Sequence, residues 1–297
     1  MTIFYVERYM LQALIGGVQT GQTYQVAVMR TAFILRVGLG GWLVVEALIK
    51  FLGLLSPSQF ADMLGFYLGA AGYINQFFQY FLFQSSWGHL FSPASLLALL
   101  AMVELVVGCS LIAGLAVRWN AMLTFFMLVF YVIALPVMTV PNIQLDVAVY
   151  TAPAPLVQIR EVAMAIAAFV LYKLAPEAGR INVETNLEVM QKHWYSLWGQ
   201  LRYALILPLV VAALFGGFGH IPTLAAPAFL LAALGAALTV DSLKVVKWAA
   251  WIAAMVFFHY ALFMIDWSDN CLKNLYVIRR EFGLVSISVA LALIKHP

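Results

Sequence analysis

Charged side chains are scarce in this sequence. Asp, Glu, Lys and Arg together make up 10% of the 297 residues, whereas hydrophobic residues make up 64% and the mean hydropathy is +0.95. Soluble domains contain about 25% charged residues, so this composition excludes an ordinary soluble protein. The chain is predicted to be an integral membrane protein.

Cysteine and the usual cofactor motifs are also nearly missing. The two cysteines, Cys109 and Cys271, form no CxxC pair, and the sequence has no dinucleotide-binding glycine motif and no cluster of metal ligands. Histidines at haem-binding spacing are missing as well, so no haem, metal or nucleotide site is expected. The net charge of +3 is spread along the chain, and nucleic acid is therefore not an expected partner.

Long apolar runs dominate what is present. A membrane-spanning helix needs about 20 mostly apolar residues, and eight runs with short connections meet that requirement. The sequence therefore predicts an all-α protein with about eight transmembrane helices. They lie near 31–54, 94–115, 119–139, 159–175, 201–219, 223–241, 245–265 and 276–295.

The distribution of Lys and Arg predicts an orientation. The predicted outer segments 55–93, 140–159 and 216–222 contain neither residue. Cytoplasmic segments carry the excess of basic residues, so both termini are predicted to be cytoplasmic. The basic residues then on the inner side are Arg8, Arg30, Arg118, Lys173, Arg180, Lys192, Arg202, Lys244, Lys247 and Lys295.

The chain divides into four predicted parts. These are an interfacial N-terminal segment (1–30), a four-helix bundle (31–175), a cytoplasmic amphipathic connector (176–200, helical from about Val183 to Trp198) and a second four-helix half (201–297). "IREVAMAIAAFVLYK" and "RREFGLVSISVALAL" open the last helix of each half in the same way, which suggests a degenerate duplication. The long apolar loop 55–93 is expected to fold back as one or two interfacial or re-entrant helices.

Ionisable residues inside the predicted helices are the candidate functional groups. Arg36, Glu46 and Lys50 share one face of the first helix, and Glu46 and Lys50 are spaced to pair. Glu104, Gly108 and Arg118 form a stripe on the second helix, where the glycine allows a close helix approach. Because a lone acid is unfavourable at membrane depth, we expect Glu104 to pair with Arg36 or Lys50, or to be protonated. A packing salt bridge and a polar site for a quinone, proton or small substrate are the two interpretations.

Two Arg-Glu pairs stand at the predicted outer membrane boundary. They are Arg160–Glu161 and Arg280–Glu281. We favour arginines that extend to the membrane surface, with pairing across the bundle or binding of an anionic head group as alternatives.

The segments "LRVGLGGWLVVEALIKFL" and "ELVVGCSLIAGLAVRWNAML", separated by a long outer loop, resemble the DoxX/DoxD-like membrane family. Glu46 stands where a glycine is common in that family, and the resemblance covers about residues 30–175. The positions that match are Arg36, Lys50, Glu104, Gly108, Leu111, Gly114 and Arg118.

This resemblance implies a four-helix bundle in a bacterial or archaeal cytoplasmic membrane, linked to quinone-dependent sulfur oxidation, quinol oxidase complexes or accessory roles in redox systems. The DoxD branch looks like the small membrane part of thiosulfate:quinone oxidoreductase. Any redox chemistry would need a diffusible quinone or the cofactor of a membrane or periplasmic partner subunit.

Three functional hypotheses remain open. They are a membrane subunit of a quinone-linked redox complex, a non-catalytic scaffold or accessory subunit, and a carrier of protons or small solutes. The candidate catalytic residues are Glu104, Arg36, Lys50 and Glu46. The candidate cofactor-binding residues are Arg118, Gly108, Arg160 and Arg280.

Overall fold

The computed structural model describes most of the chain, and the structural statements below concern those residues. They are 20–68, 73–85, 92–135, 144–146, 151–175, 187–214, 228–263 and 271–293. Most of the predicted N-terminal segment 1–30 lies outside these ranges, and its residues 20–30 belong to the first described helix.

The described residues form ten helices and one short antiparallel pair of strands. The helices are α1 (Thr20–Leu55), α2 (Phe60–Leu68), α3 (Gln76–Phe83), α4 (Pro93–Ala113), α5 (Val117–Ala134), α6 (Ala154–Leu174), α7 (Leu187–Leu214), α8 (Ala228–Ala237), α9 (Leu243–Phe263) and α10 (Cys271–Ala292). The strands β1 (Gln144–Asp146) and β2 (Thr151–Pro153) pair between α5 and α6. The predicted all-α membrane fold is confirmed.

Each of the eight predicted spans contains a described helix. Among the described residues, four stretches are long and apolar enough to cross a bilayer: Val26–Leu55, Pro93–Ala113, Val117–Ala134 and Tyr195–Leu214. The exact number of eight spans stays a prediction.

Helix α7 continues through residue 200, where the sequence predicted a boundary between the connector and the second half. It runs without interruption from Leu187 to Leu214, so the predicted amphipathic helix and the predicted fifth span are one helix. The composition changes from polar to apolar along this helix, but backbone hydrogen bonding continues through the change. Its location relative to the membrane surface stays a prediction.

Two short helices occupy the long loop after α1, as the sequence predicts. Asn75 connects them to the bundle: its side-chain oxygen accepts a hydrogen bond from the backbone N–H of Phe78 and caps α3, while its side-chain amide donates to the carbonyl of Ile133 at 3.0 Å. The backbone N–H of Asn75 donates to the carbonyl of Ala134 at 2.7 Å. Because both carbonyls lie at the end of α5, the loop covers that end of the bundle.

The same set of helix contacts occurs twice. In the first half α1 packs on α4 and α5 packs on α6; in the second half α7 packs on α8 and α9 packs on α10. The contacts between halves follow the same order, since α6 packs on α7 and α10 packs on α1. This repeated packing supports the duplication that the sequence similarity suggested.

Helix α1 lies at the centre of the molecule and contacts both halves extensively. Its backbone comes close to α4 at Gly40 and Gly108: a Cβ atom at Gly108 would lie only 2.7 Å from the carbonyl oxygen of Gly40. On another side, Gly41 faces the ring of Phe282 in α10. The small residues let the helices approach closely enough for polar side chains further along α1 to meet those of α4 and α10.

Candidate functional site

Lys50 is the centre of a buried group of charged side chains. Its Nζ atom donates hydrogen bonds to both carboxylate oxygens of Glu104, each at 2.8 Å, and to Oε2 of Glu46 at 3.2 Å. Glu104 is fully buried, and Lys50 and Glu46 are 3% and 6% exposed. The predicted pair within the first helix and the predicted bridge from Glu104 to a cation of that helix are both confirmed.

Arg279 extends this group into the second half of the chain. Its NH1 atom donates to Oε2 of Glu46 at 3.0 Å, and the residue is 2% exposed. Glu104, Lys50, Glu46 and Arg279 therefore form a continuous row of alternating charges, which we call the charge cluster. It connects α4, α1 and α10 across the two halves.

Tyrosine hydroxyl groups donate hydrogen bonds to two buried acids, Glu104 of the charge cluster and Glu161, which lines the same cavity as Lys50. The hydroxyl of Tyr131 in α5 donates to Oε1 of Glu104 at 2.5 Å, and the hydroxyl of Tyr73 donates to Oε1 of Glu161 in α6 at 2.8 Å. The Nζ atom of Lys50 lies 5.6 Å from the ring centroid of Tyr67. These contacts reduce the unfavourable free energy of burying ionised groups, since each tyrosine supplies a donor or a polarisable face.

A second buried ion pair lies between α6 and α10. The NH2 atom of Arg160 is 3.1 Å from Oε1 of Glu281, and Arg160 is 1% exposed. The favoured prediction, an arginine extending to the membrane surface, is wrong for Arg160. Contact between α6 and α10 brings the two side chains together, so pairing across the bundle, the alternative, is what occurs. The side chain of Arg280 lies outside the described residues.

A small cavity adjoins the charge cluster. It is lined by Glu46, Lys50, Tyr67, Tyr73, Ile74, Leu100, Phe130, Tyr131, Ala134, Glu161 and Arg279. The space open to the centre of a water molecule is about 30 Å³. Since roughly 10–15 Å³ of such space holds one water, the cavity accommodates two or three waters but not a six-membered ring.

The candidate residues Arg36 and Arg118 lie away from both the cavity and the charge cluster. The guanidinium of Arg36 packs beside Gly114 and lies over the ring of Phe33, ten residues before Glu46 on α1. Ten helical residues span about 15 Å, so the structure does not bring Arg36 to Glu104. Of the four residues expected to form one pocket, Glu46 and Lys50 line the cavity, and Glu104 lies behind Lys50, bound to its ammonium group. Arg118 is exposed and donates to the hydroxyl of Tyr172 at 3.1 Å.

Gly108 has a packing contact in place of the predicted cofactor contact. It is buried where α4 crosses α1, beside the carbonyl of Gly40. The close approach predicted for this glycine is confirmed, and the approach leaves Gly108 outside the cavity lining.

The sequence interpretation missed the three tyrosines and Arg279. Tyr67 and Tyr73 belong to the loop segment, whose aromatic residues are typical of a membrane interface, and Tyr131 stands among other aromatic residues in α5. No local spacing separates these tyrosines from their neighbours. For Arg279, the adjacent Arg280 offered the same chemistry, and only the rotation of α10 decides which of the two faces α1.

Electrostatically, the charge cluster is a buried polar network with both signs in contact. In low-dielectric surroundings, ion pairs with satisfied hydrogen bonds are tolerated, whereas loss of one partner leaves an uncompensated buried charge. Glu104 can accept one proton without leaving Lys50 unpaired, because Glu46 remains 3.2 Å from the ammonium group. In the part of the chain that the structure describes, no group of three or more His, Cys, Asp or Glu side chains is arranged to hold a metal ion.

Comparison with known proteins identifies one family. The DoxX family model matches residues 31–136, which comprise most of α1, the loop helices α2 and α3, and helices α4 and α5. The charge-cluster residues Glu46, Lys50 and Glu104 fall within the match, whereas Arg279 lies outside it. No curated protein and no solved structure matches the chain. Residues 31–136 therefore form a DoxX-like region, which confirms the family resemblance for this part of a multi-helix membrane protein.

Proposed function

We propose that this chain is the membrane-embedded subunit of a quinone-linked redox complex in a bacterial or archaeal cytoplasmic membrane. In this role the charge cluster exchanges protons with a quinol. The hydrogen bond from Tyr131 to the fully buried Glu104, beside a water-sized cavity, is the observation that carries the proposal. A carboxylate positioned in this way can act as a general base when a hydroxyl group is oxidised.

The cavity size limits where the quinol can bind. A cavity of about 30 Å³ admits water but not a quinone ring, so the ring stays outside it. The proton then passes through water in the cavity to Tyr131 and Glu104. Tyr67, Phe130 and Tyr131 contribute aromatic surface to the cavity lining.

The electrons need a partner. Oxidation of one quinol to a quinone releases two electrons and two protons. The described residues supply carboxylates that can accept protons, but they supply no group that accepts electrons. The electrons therefore pass to the redox group of an associated membrane or periplasmic subunit. This division makes the chain a proton-handling subunit within a larger complex.

A second candidate function is a non-catalytic scaffold. The observation that favours it is the mutual pairing of Glu104, Lys50, Glu46 and Arg279, which ties α1 to both halves of the molecule. In that case the same contacts serve stability alone, and removal of a single hydroxyl leaves quinol oxidation unchanged.

The Tyr131→Phe variant separates the two functions because it removes the hydroxyl bound to Glu104 and keeps the ring. Native membranes containing the full chain and its partners would be assayed for quinol oxidation, with the amount of chain measured in parallel. We expect a loss of about 10²-fold or more, the range for a missing proton-transfer group. Tyr80→Phe is the matched control, since Tyr80 is 59% exposed on α3 and its change should leave the rate unaltered.

Two results would reject the redox role. One is full quinol oxidation by Tyr131→Phe at normal protein levels. The other is an unchanged rate in membranes that lack the chain altogether.

A further inference from the structure

A second, larger groove lies between α9 and α10. Its volume is about 560 Å³, and it is lined by Lys244, Lys247, Trp248, Trp251, Met255 and Ala292. The charge-cluster residue Arg279 is the ninth residue of α10, and Ala292 is its last. Thirteen helical residues span about 20 Å, so the groove and the charge cluster are well separated along α10.

The lining residues are ordered along α9 from charged to apolar. Lys244 and Lys247 are in the first two turns, Trp248 and Trp251 follow, and Met255 is one turn further along the same face. Trp248 is 68% exposed and Met255 is 65% exposed, so both present apolar surface outwards. The groove therefore has a cationic end and an aromatic and aliphatic continuation.

The cationic end selects an anionic ligand. Lys244 and Lys247 are three residues apart on α9 and both line the groove, and the described lining residues include no acidic side chain. Two flexible lysine side chains on one helix face can both reach a single phosphate group. The predicted orientation places this end at the cytoplasmic face, where anionic lipid head groups are concentrated.

The apolar continuation selects a lipid over a free anion. Tryptophan is typical of the depth at which head groups meet acyl chains, and Met255 lies one helical turn deeper. A free phosphate ion would contact only the two lysines and would leave the apolar part of the groove unfilled. A diacyl phospholipid fills both parts of the groove, with its phosphate at the lysines and one acyl chain along Trp251 and Met255.

We propose that the groove between α9 and α10 is a binding site for an anionic phospholipid. It is separate from the charge cluster and independent of the redox role. Such a lipid would join the end of α10 to α9 at one membrane face, while Arg279 joins α10 to α1 about 20 Å away along the helix.

The test uses the full chain purified in detergent and stripped of lipid. Its thermal unfolding would be followed during titration with phosphatidylglycerol, phosphatidylcholine or inorganic phosphate, and native mass spectrometry would count retained lipid. The double variant Lys244→Gln/Lys247→Gln should need roughly 20- to 30-fold more phosphatidylglycerol for half of the shift, as expected from about 1 kcal/mol per lysine and 1.4 kcal/mol per tenfold change.

Matched variants establish that charge in the groove is responsible. Lys244→Arg/Lys247→Arg keeps both charges and should bind within about threefold of the unmodified chain. Lys173→Gln removes a lysine at the end of α6, outside the groove, and should leave the titration unchanged. Should the double variant fail to fold, Lys244→Gln alone should weaken binding by roughly fivefold on the same scale.

Three outcomes would overturn the proposal. They are an equal phosphatidylglycerol midpoint in the glutamine variants, an equal stabilisation by phosphatidylcholine, and a full stabilisation by inorganic phosphate alone. Weakened phosphatidylglycerol binding in the glutamine variants, with phosphatidylcholine and phosphate both ineffective, is the supporting result.

Discussion

Replacement of Lys50 by methionine tests whether the charge cluster is an interdependent unit. The change keeps most of the aliphatic volume but removes the ammonium that contacts both oxygens of Glu104 at 2.8 Å. Glu104 is then a fully buried carboxylate without its ammonium partner, and it keeps the hydrogen bond from the hydroxyl of Tyr131. Breaking a buried ion pair in this way lowers the free energy of unfolding by about 3–5 kcal/mol.

Adding Glu104→Gln to Lys50→Met should restore part of the lost stability. In Lys50→Met/Glu104→Gln, position 104 is neutral and can still accept the hydrogen bond from Tyr131, while Glu46 keeps Arg279 at 3.0 Å. No charge of the cluster is then left without an opposite charge. The double variant should be more stable than Lys50→Met alone, with a coupling free energy of about 2–3 kcal/mol.

The assay is thermal unfolding of each purified variant in the same detergent, followed by tryptophan fluorescence and by size-exclusion chromatography. Lys173→Met is the control: Lys173 lies over the rings of Phe169 and Tyr172, and the loss of such cation–π contacts is worth about 1 kcal/mol. The reasoning would be refuted if Lys50→Met were as stable as this control, or if adding Glu104→Gln destabilised it further.

Three further predictions concern the framework around the charge cluster. Gly108→Ala should lower the free energy of unfolding by about 1–3 kcal/mol, because its Cβ would lie 2.7 Å from the carbonyl oxygen of Gly40. Gly65→Ala is the control and should not lower it, since a Cβ there has no neighbouring atom within 4 Å. Equal effects of the two changes on thermal unfolding would contradict the helix crossing. Asn75→Ala should expose residues 73–85 to faster hydrogen exchange, with a loss of about 1 kcal/mol for the missing cap, and unchanged exchange would show that the loop is held by other contacts. Arg279→Gln should destabilise the chain by about 3 kcal/mol or more, since it removes the cation that lies 3.0 Å from Oε2 of the buried Glu46, and a neutral effect on thermal unfolding would contradict a stabilising link between the halves.

Ion pairs at membrane depth have a particular consequence for assembly. Glu46 and Arg279 are 233 residues apart, so their contact forms only when α10 has packed against α1. Until then each side chain must find water or another partner, because an isolated charge is unfavourable in the bilayer. The charge cluster therefore favours the arrangement in which both halves are complete.

Much of this architecture was predictable because it depends on local properties of the chain. Apolar runs of about 20 residues identify spanning helices whatever their neighbours, since lipid is the solvent for each one. The four-residue spacing of Glu46 and Lys50 likewise predicts their pairing, because helix geometry alone brings them together. Glycine at position 108 indicated a close helix approach for the same local reason.

Predictions that depended on the distance between helices were less successful. Arg36 shares a face with Lys50, but rotation about the helix says nothing about separation along it, and α4 presents Glu104 at the level of Lys50 rather than of Arg36. Arg160 was expected to extend to the membrane surface together with the adjacent acid Glu161. Its partner is instead Glu281, 121 residues away.

The sequence by itself determined that this is a helical membrane protein with a DoxX-like first part and ionisable groups inside it, because hydrophobic length, helical spacing and motif are all readable within one segment. Tertiary structure alone decided which acid meets which base, that Tyr73 and Tyr131 donate to two of the acids, and that Arg279 rather than Arg36 completes the charge cluster. The physical reason is that an ion pair requires contact at about 3 Å, and the axial offset and rotation of packed helices, which set that distance, arise from the fit of whole helix surfaces rather than from any one segment.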